Sequence, residues 1–389
     1  MKIHSREPAI VFGGDINGLG IIRNLGGSGI RVYCVTEHVD PAFFSNKCYN
    51  HIVLPNYRER SDLVRSFLES FCKKTSSRPV IFPTGDLDAL MLSTLANDMK
   101  DDYYFVIPRK EIVEMLAIKS KFYRSLAEKS IPHPRVLIPT SLDSMRKIKK
   151  EIRYPVYIRP SISPKFAKVF KKKGFMANTE KEIDHYYSLA SKHKIEVMFQ
   201  EIVYGPDTNH YGISGTFDRK GKPLALFGYH RLRGWPVMFG NSSLMESIAL
   251  SELSDLKNMI VHYLENLGYY GIMDAEFKKD MRDGQFRLLE VNARSWWQNY
   301  LPTKCGQNIV LKAYLDAIGE NVEYNEQYTS GIKWVDLLGD FRSALQSGEI
   351  GRIRWFRSLR NIRAFSFFDT DDLLPFLARP FCLACELLH

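Results

Sequence analysis

The chain is poor in cysteine, has no long apolar run and shows no internal repeat. Each absence removes a class of protein. Six cysteines are spread over 389 residues, without the dense spacing of a disulfide-stapled fold. A reducing, cytoplasmic compartment is therefore expected. Cys382 and Cys385 form a CxxC, but no second pair completes a zinc site, and one turn of an apolar terminal helix accounts for it. The first apolar run, Ala9 to Phe12, stops at Gly13-Gly14, too short for a signal-peptide core. No uncharged apolar stretch approaches the length of a spanning helix; residues 373–389 are apolar but carry Arg379, Glu386 and two prolines. No Ser/His/Asp or Cys/His arrangement points to a protein nucleophile. Low-complexity segments, which would signal disorder, are absent.

What remains is globular in composition, with 45% hydrophobic and 25% charged residues. At this length two or three lobes are expected rather than one core. Fifty-four Lys and Arg against 44 Asp and Glu leave a formal charge of +10. That excess suits an anionic partner: a nucleotide, a nucleic acid, a membrane surface or an acidic substrate. No nucleic-acid reader motif accompanies it, so nucleic acid is not the expected partner.

Over the first hundred residues, short apolar runs at 9–13, 31–35, 52–54 and 80–82 alternate with helical spacing, clearest at 61–73. This predicts a parallel α/β sheet. Residues 14–20 read as a turn, with a helix beginning at Ile21. Residues 111–129 read as one helix, and 147–173 are rich in Lys and Arg. From Val197 onward alternating strands dominate, interrupted by helices near 253–267 and 308–318. The last seventy residues show no such alternation and read as an appendix.

Gly14, Gly18 and Gly20 sit between a strand and a helix, where backbone amides face an anion. They do not match the dinucleotide spacing, although Glu37 stands where a ribose-binding acid would. A nicotinamide oxidoreductase is one reading, a ligand-free tight turn another. The favoured one has Gly14, Asn17 and Gly18 lining a substrate cleft.

The most informative segment is 271–294. Asp283-Gly284 is a hairpin signal. A five-residue loop over 281–285 would pair Asp280 with Phe286. Glu276 would then face Glu290, and Asp274 would face Asn292. By alternation these four share one face, while Met273, Ala275, Phe277, Leu289 and Val291 take the core face. Carboxylates directly across strands lie roughly 5 Å apart and repel, so a cation is expected. An all-oxygen set that includes an amide favours Mg²⁺ over zinc.

With Glu276-Phe277 followed by Glu290-Val291-Asn292-Ala293-Arg294, the sequence resembles the ATP-grasp superfamily, and most of all its predicted carboxylate–amine ligases, the branch with D-aspartate ligase-like enzymes. Ala293 stands where Pro is usual. The resemblance covers residues 8–320 and implies an α/β fold of three lobes: a Rossmann-like domain at 1–110, a small lobe at 111–199 and a large lobe with the metal site at 200–325. An extension follows at 326–389. It implies that Glu276, Glu290 and Asn292 hold Mg²⁺, two ions with Mn²⁺ as a substitute, against ATP, and that Arg294 contacts phosphate and the reacting carboxylate. Lys119, before Phe122-Tyr123-Arg124 and Pro132-His133-Pro134, is similar to the first nucleotide-binding lysine, with Lys121 as a competitor. Arg159, after Tyr154-Pro155-Val156-Tyr157-Ile158, stands where the second is usually Lys. It keeps the charge but is planar and bulkier. Gln200, Glu201 and Ile202 would flank adenine, and Asp207 would approach the ribose.

In the basic stretch, Ser161 and Ser163 are candidates to donate hydrogen bonds to phosphate; a solvated basic loop competes. Arg231 and Arg233 share a strand face and would bind phosphate or a carboxylate, or form a structural ion pair. Asp86, after Pro83-Thr84-Gly85, and Glu246 are candidate substrate contacts. The implied chemistry activates a small carboxylate as an acyl phosphate and lets an amine displace phosphate. A nucleotide-binding regulatory protein without turnover is the alternative. A homodimer is left open. So is a contact of the tail, where Arg352, Arg354, Arg357, Arg360 and Arg363 interleave with aromatics, with a membrane or an acidic partner.

Overall fold

The computed structural model describes residues 7–237, 240–348 and 351–388. By its contacts the chain divides into two units. The first holds residues up to 113, 212–274 and 292 onward; the second holds 114–211 and 275–291.

The first unit opens with five parallel strands: β1 (Ala9–Phe12), β2 (Val32–Thr36), β3 (Asn50–Val53), β4 (Val80–Pro83) and β5 (Tyr104–Phe105), in the order β3-β2-β1-β4-β5. Strands β1, β2 and β4 are buried along their whole length, which is why they read as unbroken apolar runs. Chain direction across the sheet reverses between β1 and β4. At such a switch point the carboxyl ends of the strands border a crevice.

The helix expected from Ile21 starts at Ile16 and runs to Gly26. Asp15 caps it, accepting from the amides of Asn17 (3.0 Å) and Gly18 (3.2 Å). Such a cap contributes about 1 kcal/mol and offsets part of the cost of glycine inside the helix. The glycines that suggested a turn serve close packing instead. A Cβ on Gly18 would lie 1.9 Å from the Gly13 carbonyl oxygen, and one on Gly20 would lie 2.4 Å from Asn299 Oδ1.

The second unit contains β6 (Val136–Leu137), β7 (Val156–Pro160), β8 (Phe175–Ala177) and β9 (Val197–Glu201), antiparallel in the order β6-β9-β7-β8. Helices Leu142–Glu151, Ser163–Phe170 and Glu180–Lys192 belong to it, and its core includes Val156, Ile158, Phe166, Ile183 and Phe199. Burial of each such large side chain contributes roughly 1.5–3 kcal/mol. The single helix expected over 111–129 is two, Lys110–Ala117 and Lys119–Glu128, separated by Ile118 in an extended conformation. That break puts Lys119 at a helix start. The basic stretch expected as a loop folds, from Ser163, into a helix with Pro in its first turn, a position proline favours.

The third sheet has seven strands: β10 (His210–Phe217), β11 (Pro223–Trp235), β12 (Asn241–Ile248), β13 (Gly271–Lys279), β14 (Phe286–Asn292), β15 (Lys333–Val335) and β16 (Ile362–Phe365). Their order is β14-β13-β10-β11-β12-β15-β16. Residues 275–291 of the β13–β14 hairpin count with the second unit. The C-terminal segment is therefore part of a sheet rather than an appendix. Its two strands have three and four residues, too few to show a period. It is also anchored to the first helix. Arg23 Nε lies 3.0 Å from Asp372 Oδ2, both buried, and Asp372 accepts from Ser45 Oγ (2.8 Å) and the Asn46 amide (2.9 Å).

Candidate functional site

In the second unit, two cations converge on one carboxylate. Lys119 Nζ lies 2.8 Å from Glu290 Oε2, and an Arg159 guanidinium nitrogen lies 3.7 Å from the same oxygen. The Lys119 side chain is buried, and its amide donates to the Ser161 carbonyl (2.9 Å), which fixes where the lysine leaves the backbone. Arg159 also donates to Gln200 Oε1 (3.1 Å) and contacts the Tyr123 hydroxyl (3.4 Å). That hydroxyl in turn donates to the Leu289 carbonyl at 2.8 Å. Burial pushes the Tyr123 hydroxyl up to about 12; Arg159 opposes the shift and Glu290 adds to it. It stays a neutral donor at physiological pH. Burial alone would lower the Arg159 guanidinium, but Tyr123, Glu290 and Tyr157 outweigh it and push it up. Arg159 is thus held as a cation in the position where resemblance implies a lysine. Two cations of this kind suit phosphate, with a carboxylate at hand for a divalent ion.

The hairpin turn closes one residue earlier than expected. The Asp280 backbone amide donates to the Gln285 carbonyl (2.9 Å), and the Gly284 amide donates to the Asp280 carbonyl (2.8 Å). Gly284 takes φ +73°, which glycine adopts without strain. Leu288 and Val291 are both buried, three residues apart, while Leu289 is half-buried. Burial along β14 therefore does not follow the expected alternation. Asn292 still meets Asp274, its Nδ2 donating to Asp274 Oδ2 at 3.3 Å.

Asp274 itself is buried and accepts from Ser214 Oγ (2.8 Å) and the Tyr229 hydroxyl (3.0 Å) through Oδ1. Its place is behind Asn292, orienting that amide, a role the alternation argument missed. Outer partners of this kind align metal ligands. Asn292 Oδ1 accepts from Arg294 (3.2 Å) and keeps lone-pair capacity for an ion. Glu276 and Glu290 lie half-buried on the part of the hairpin that counts with the second unit. Their carboxylate oxygens are of the kind that fits Mg²⁺. Among the described residues no group of three or more His, Cys, Asp or Glu side chains is gathered as a metal site, the hairpin acids included.

In the first unit Arg294 Nε donates to Asp86 Oδ1 (2.8 Å) and its Nη1 to the Ser295 carbonyl (2.8 Å). Asp86 opens helix Asp86–Leu95 at the carboxyl end of β4, which brings two of the expected site residues together. Asn17, expected in a substrate cleft, is buried and structural instead. Its Nδ2 donates to the carbonyls of Thr84 (2.7 Å) and Ser295 (2.8 Å), and its Oδ1 accepts from Asn299 (2.9 Å). It staples the segment that presents Arg294. Gly14 and Gly18 are buried too, Gly14 where a Cβ would meet Asp40 at 2.8 Å. Glu37, the candidate ribose acid, is ion-paired with Arg58 at 2.9 Å, so the nicotinamide reading gains nothing.

Arg231 and Arg233 do not share a simple strand face, because the β11–β12 register shifts on either side of Arg233. Arg233 forms a two-pronged pair with the buried Asp340 (2.8 and 2.7 Å), the structural competitor of the phosphate reading. Arg231 is buried and donates to Ser242 Oγ at 2.8 Å. Glu246 pairs in register with His230 and Lys333.

Of the expected nucleotide-flanking residues, Gln200 is buried beneath Arg159. Glu201 faces Arg135 at 3.5 Å, and the Ile202 carbonyl accepts from Arg282 at 3.2 Å. Asp207 begins a single 3-10 turn. Ser161 is buried and Ser163 opens its helix; the Ser163 side chain, like that of Cys385, lies outside the described residues. Burial pushes the thiols of Cys305 to about 11 and Cys48 to about 12, so neither is a nucleophile at neutral pH.

No family model matches the chain. A D-aspartate ligase of Enterococcus faecium (strain Aus0004) is 24% identical over 319 residues, covering 77% of this chain and 74% of the relative. Among solved structures, N5-carboxyaminoimidazole ribonucleotide synthetase in complex with ADP matches with a TM-score of 0.67 at 12% identity, over 89% of this chain and 86% of its own. The biotin carboxylase domain of the Hydrogenobacter thermophilus 2-oxoglutarate carboxylase, solved with MgADP and bicarbonate, matches with a TM-score of 0.66 at 16% identity, over 85% and 73%.

Proposed function

We propose that this chain, whose fold is that of the ATP-grasp enzymes it matches, is an ATP- and Mg²⁺-dependent carboxylate–amine ligase acting on an amino acid or a similar small carboxylate. The observation that carries this reading is the convergence of Lys119 and Arg159 on Glu290. Such a group pairs the cations a triphosphate needs with the carboxylate a divalent ion needs. Glu276, Glu290 and Asn292 would hold Mg²⁺, which when bound offsets the charge of the triphosphate. Lys119 and Arg159 bind phosphate oxygens. Gln200 and Tyr123 hold Arg159 in its orientation, and Asp274 holds Asn292.

Arg294, braced by Asp86, binds the carboxylate substrate and stabilises the charge that builds up as that carboxylate attacks the γ-phosphate. That attack expels ADP and leaves an acyl phosphate; the amine then displaces phosphate and loses a proton, and an amide is formed. No protein nucleophile is required. Arg231 supports the same anionic region, whereas Arg233 serves the Asp340 pair. Ser161 and Ser163 remain proposed phosphate contacts, with Glu201, Ile202 and Asp207 about the nucleoside and Glu246 toward the amine. The C-terminal basic segment brings the enzyme to an acidic partner or a membrane surface.

The test is a phosphate-release screen of amino acids taken in pairs with Mg·ATP. Release of ADP and phosphate with one pair, abolished in Glu290→Gln, is the expected result. Nucleotide binding with no turnover across a broad panel would instead favour a regulatory protein.

A further inference from the structure

Three helices of the C-terminal segment, all in the first unit, expose large apolar side chains. On helix Leu337–Ser347 these are Leu338, Phe341 and Leu345, spaced along one stripe. On helix Arg352–Ser358, Ile353 and Phe356 are 71% and 68% exposed. On helix Leu374–Leu388 the exposed set is Leu374, Phe376, Leu377 and Phe381, the last at 75%. Isolated exposed apolar residues are ordinary, but a contiguous group marks an interaction surface.

Two of the three helices are neighbours. The Phe341 ring packs on Trp355 at 5.1 Å, which joins the first to the second. The third helix packs in the same unit against Pro41–Phe44, and its Arg379 lies over the Phe367 ring at 4.7 Å.

The charges of this segment are sorted by direction. Its acids Asp340, Asp369 and Asp372 are buried, on Arg233, Lys304 and Arg23 respectively. Arg342, Arg354, Arg357, Arg360 and Arg363 are exposed. Among the described residues of 330–382, Asp371 is the exposed acid. The surface is thus apolar and cationic at once.

We propose that this face docks on an anionic phospholipid bilayer, with the apolar side chains in the acyl boundary and the guanidinium groups among the headgroup phosphates. The inference narrows the acidic-partner reading of the segment and rests on it. A second copy of the chain is disfavoured, because a two-fold contact through the same face would set arginines against arginines. No helix among the described residues is long and apolar enough to cross a membrane, so the contact lies on the surface.

The test is co-sedimentation of the full chain with phosphatidylcholine vesicles, with and without phosphatidylglycerol, at low and high salt. A parallel arm uses soluble polyglutamate. Binding is expected only to the anionic vesicles. Arg354→Gln with Arg357→Gln should weaken it about fivefold per arginine. The double variant Ile353→Ser and Phe356→Ser should weaken it further while leaving phosphate release in solution unchanged. If that variant fails to fold, the arginine pair carries the test. Equal binding to neutral vesicles would overturn the proposal. So would capture by polyglutamate that survives loss of Ile353 and Phe356; that outcome would leave the acidic-partner reading standing. A concentration-dependent dimer abolished by Phe356→Asp would also overturn it.

Discussion

Two arginine–carboxylate groups in this molecule, one on a buried acid and one on a half-buried acid, look alike and differ in charge balance. In the first unit Asp340 faces one cation, Arg233, held by both carboxylate oxygens, and its other donors are the neutral Ser243 Oγ (3.1 Å) and Trp355 Nε1 (2.8 Å). In the second unit Glu290 faces two cations at a single oxygen. The first arrangement is neutral and closed, as a structural pair should be. The second sets two cations on one half-buried carboxylate oxygen, an arrangement that an anionic ligand would complete. Residue type alone would not separate them: Arg233 and Arg159 are each an arginine on a strand.

The largest effect that would break this contrast is catalytic. Glu290→Gln should lower Mg·ATP-dependent phosphate release by about 10²–10³-fold with little change in melting temperature. Next, Asp340→Ala should destabilise the fold by about 3–5 kcal/mol, because it strands the Arg233 charge; a denaturant melt reads this. Turnover per folded molecule should stay at the wild-type level. If Asp340→Ala removed activity without loss of stability, the two groups would not differ as described.

A smaller effect sharpens the hairpin. Asp274→Ala should weaken Mg²⁺ activation about 10–100-fold, seen as a raised metal concentration for half-maximal rate with a recoverable maximum. Smallest of all, Tyr123→Phe should cost about 1 kcal/mol, seen as a few-fold loss of ADP affinity through a looser Arg159.

These predictions also mark how far the residues alone could be read. The hairpin was legible because acids on alternating positions have few innocent explanations, and a turn signal lay between them. The burial along β14 was not legible: Leu288 is buried and Leu289 half-buried, a difference set by neighbours that the alternation of the strand does not contain. The parallel strands were legible as apolar runs. Helix Ile16–Gly26 was not, because Gly18 and Gly20 report close packing against Gly13 and Asn299, contacts that no local pattern contains. Asp274 and Asn17 both belong to the site's support, not to its surface. Their partners lie far along the chain: Ser214 and Tyr229 for one, Thr84 and Ser295 for the other. The short strands β15 and β16 fell below the length at which a period shows.

The central claim is that Lys119, Arg159 and Glu290 form a nucleotide-phosphate and metal site. Calorimetric titration of ADP into the wild-type chain and into Glu290→Gln, each with and without Mg²⁺, tests it most directly. The wild type should bind ADP more tightly with Mg²⁺, and the variant should lose that dependence while still binding ADP through Lys119 and Arg159. ADP affinity indifferent to Mg²⁺ in the wild type, or an unchanged Mg²⁺ dependence in the variant, would contradict the account.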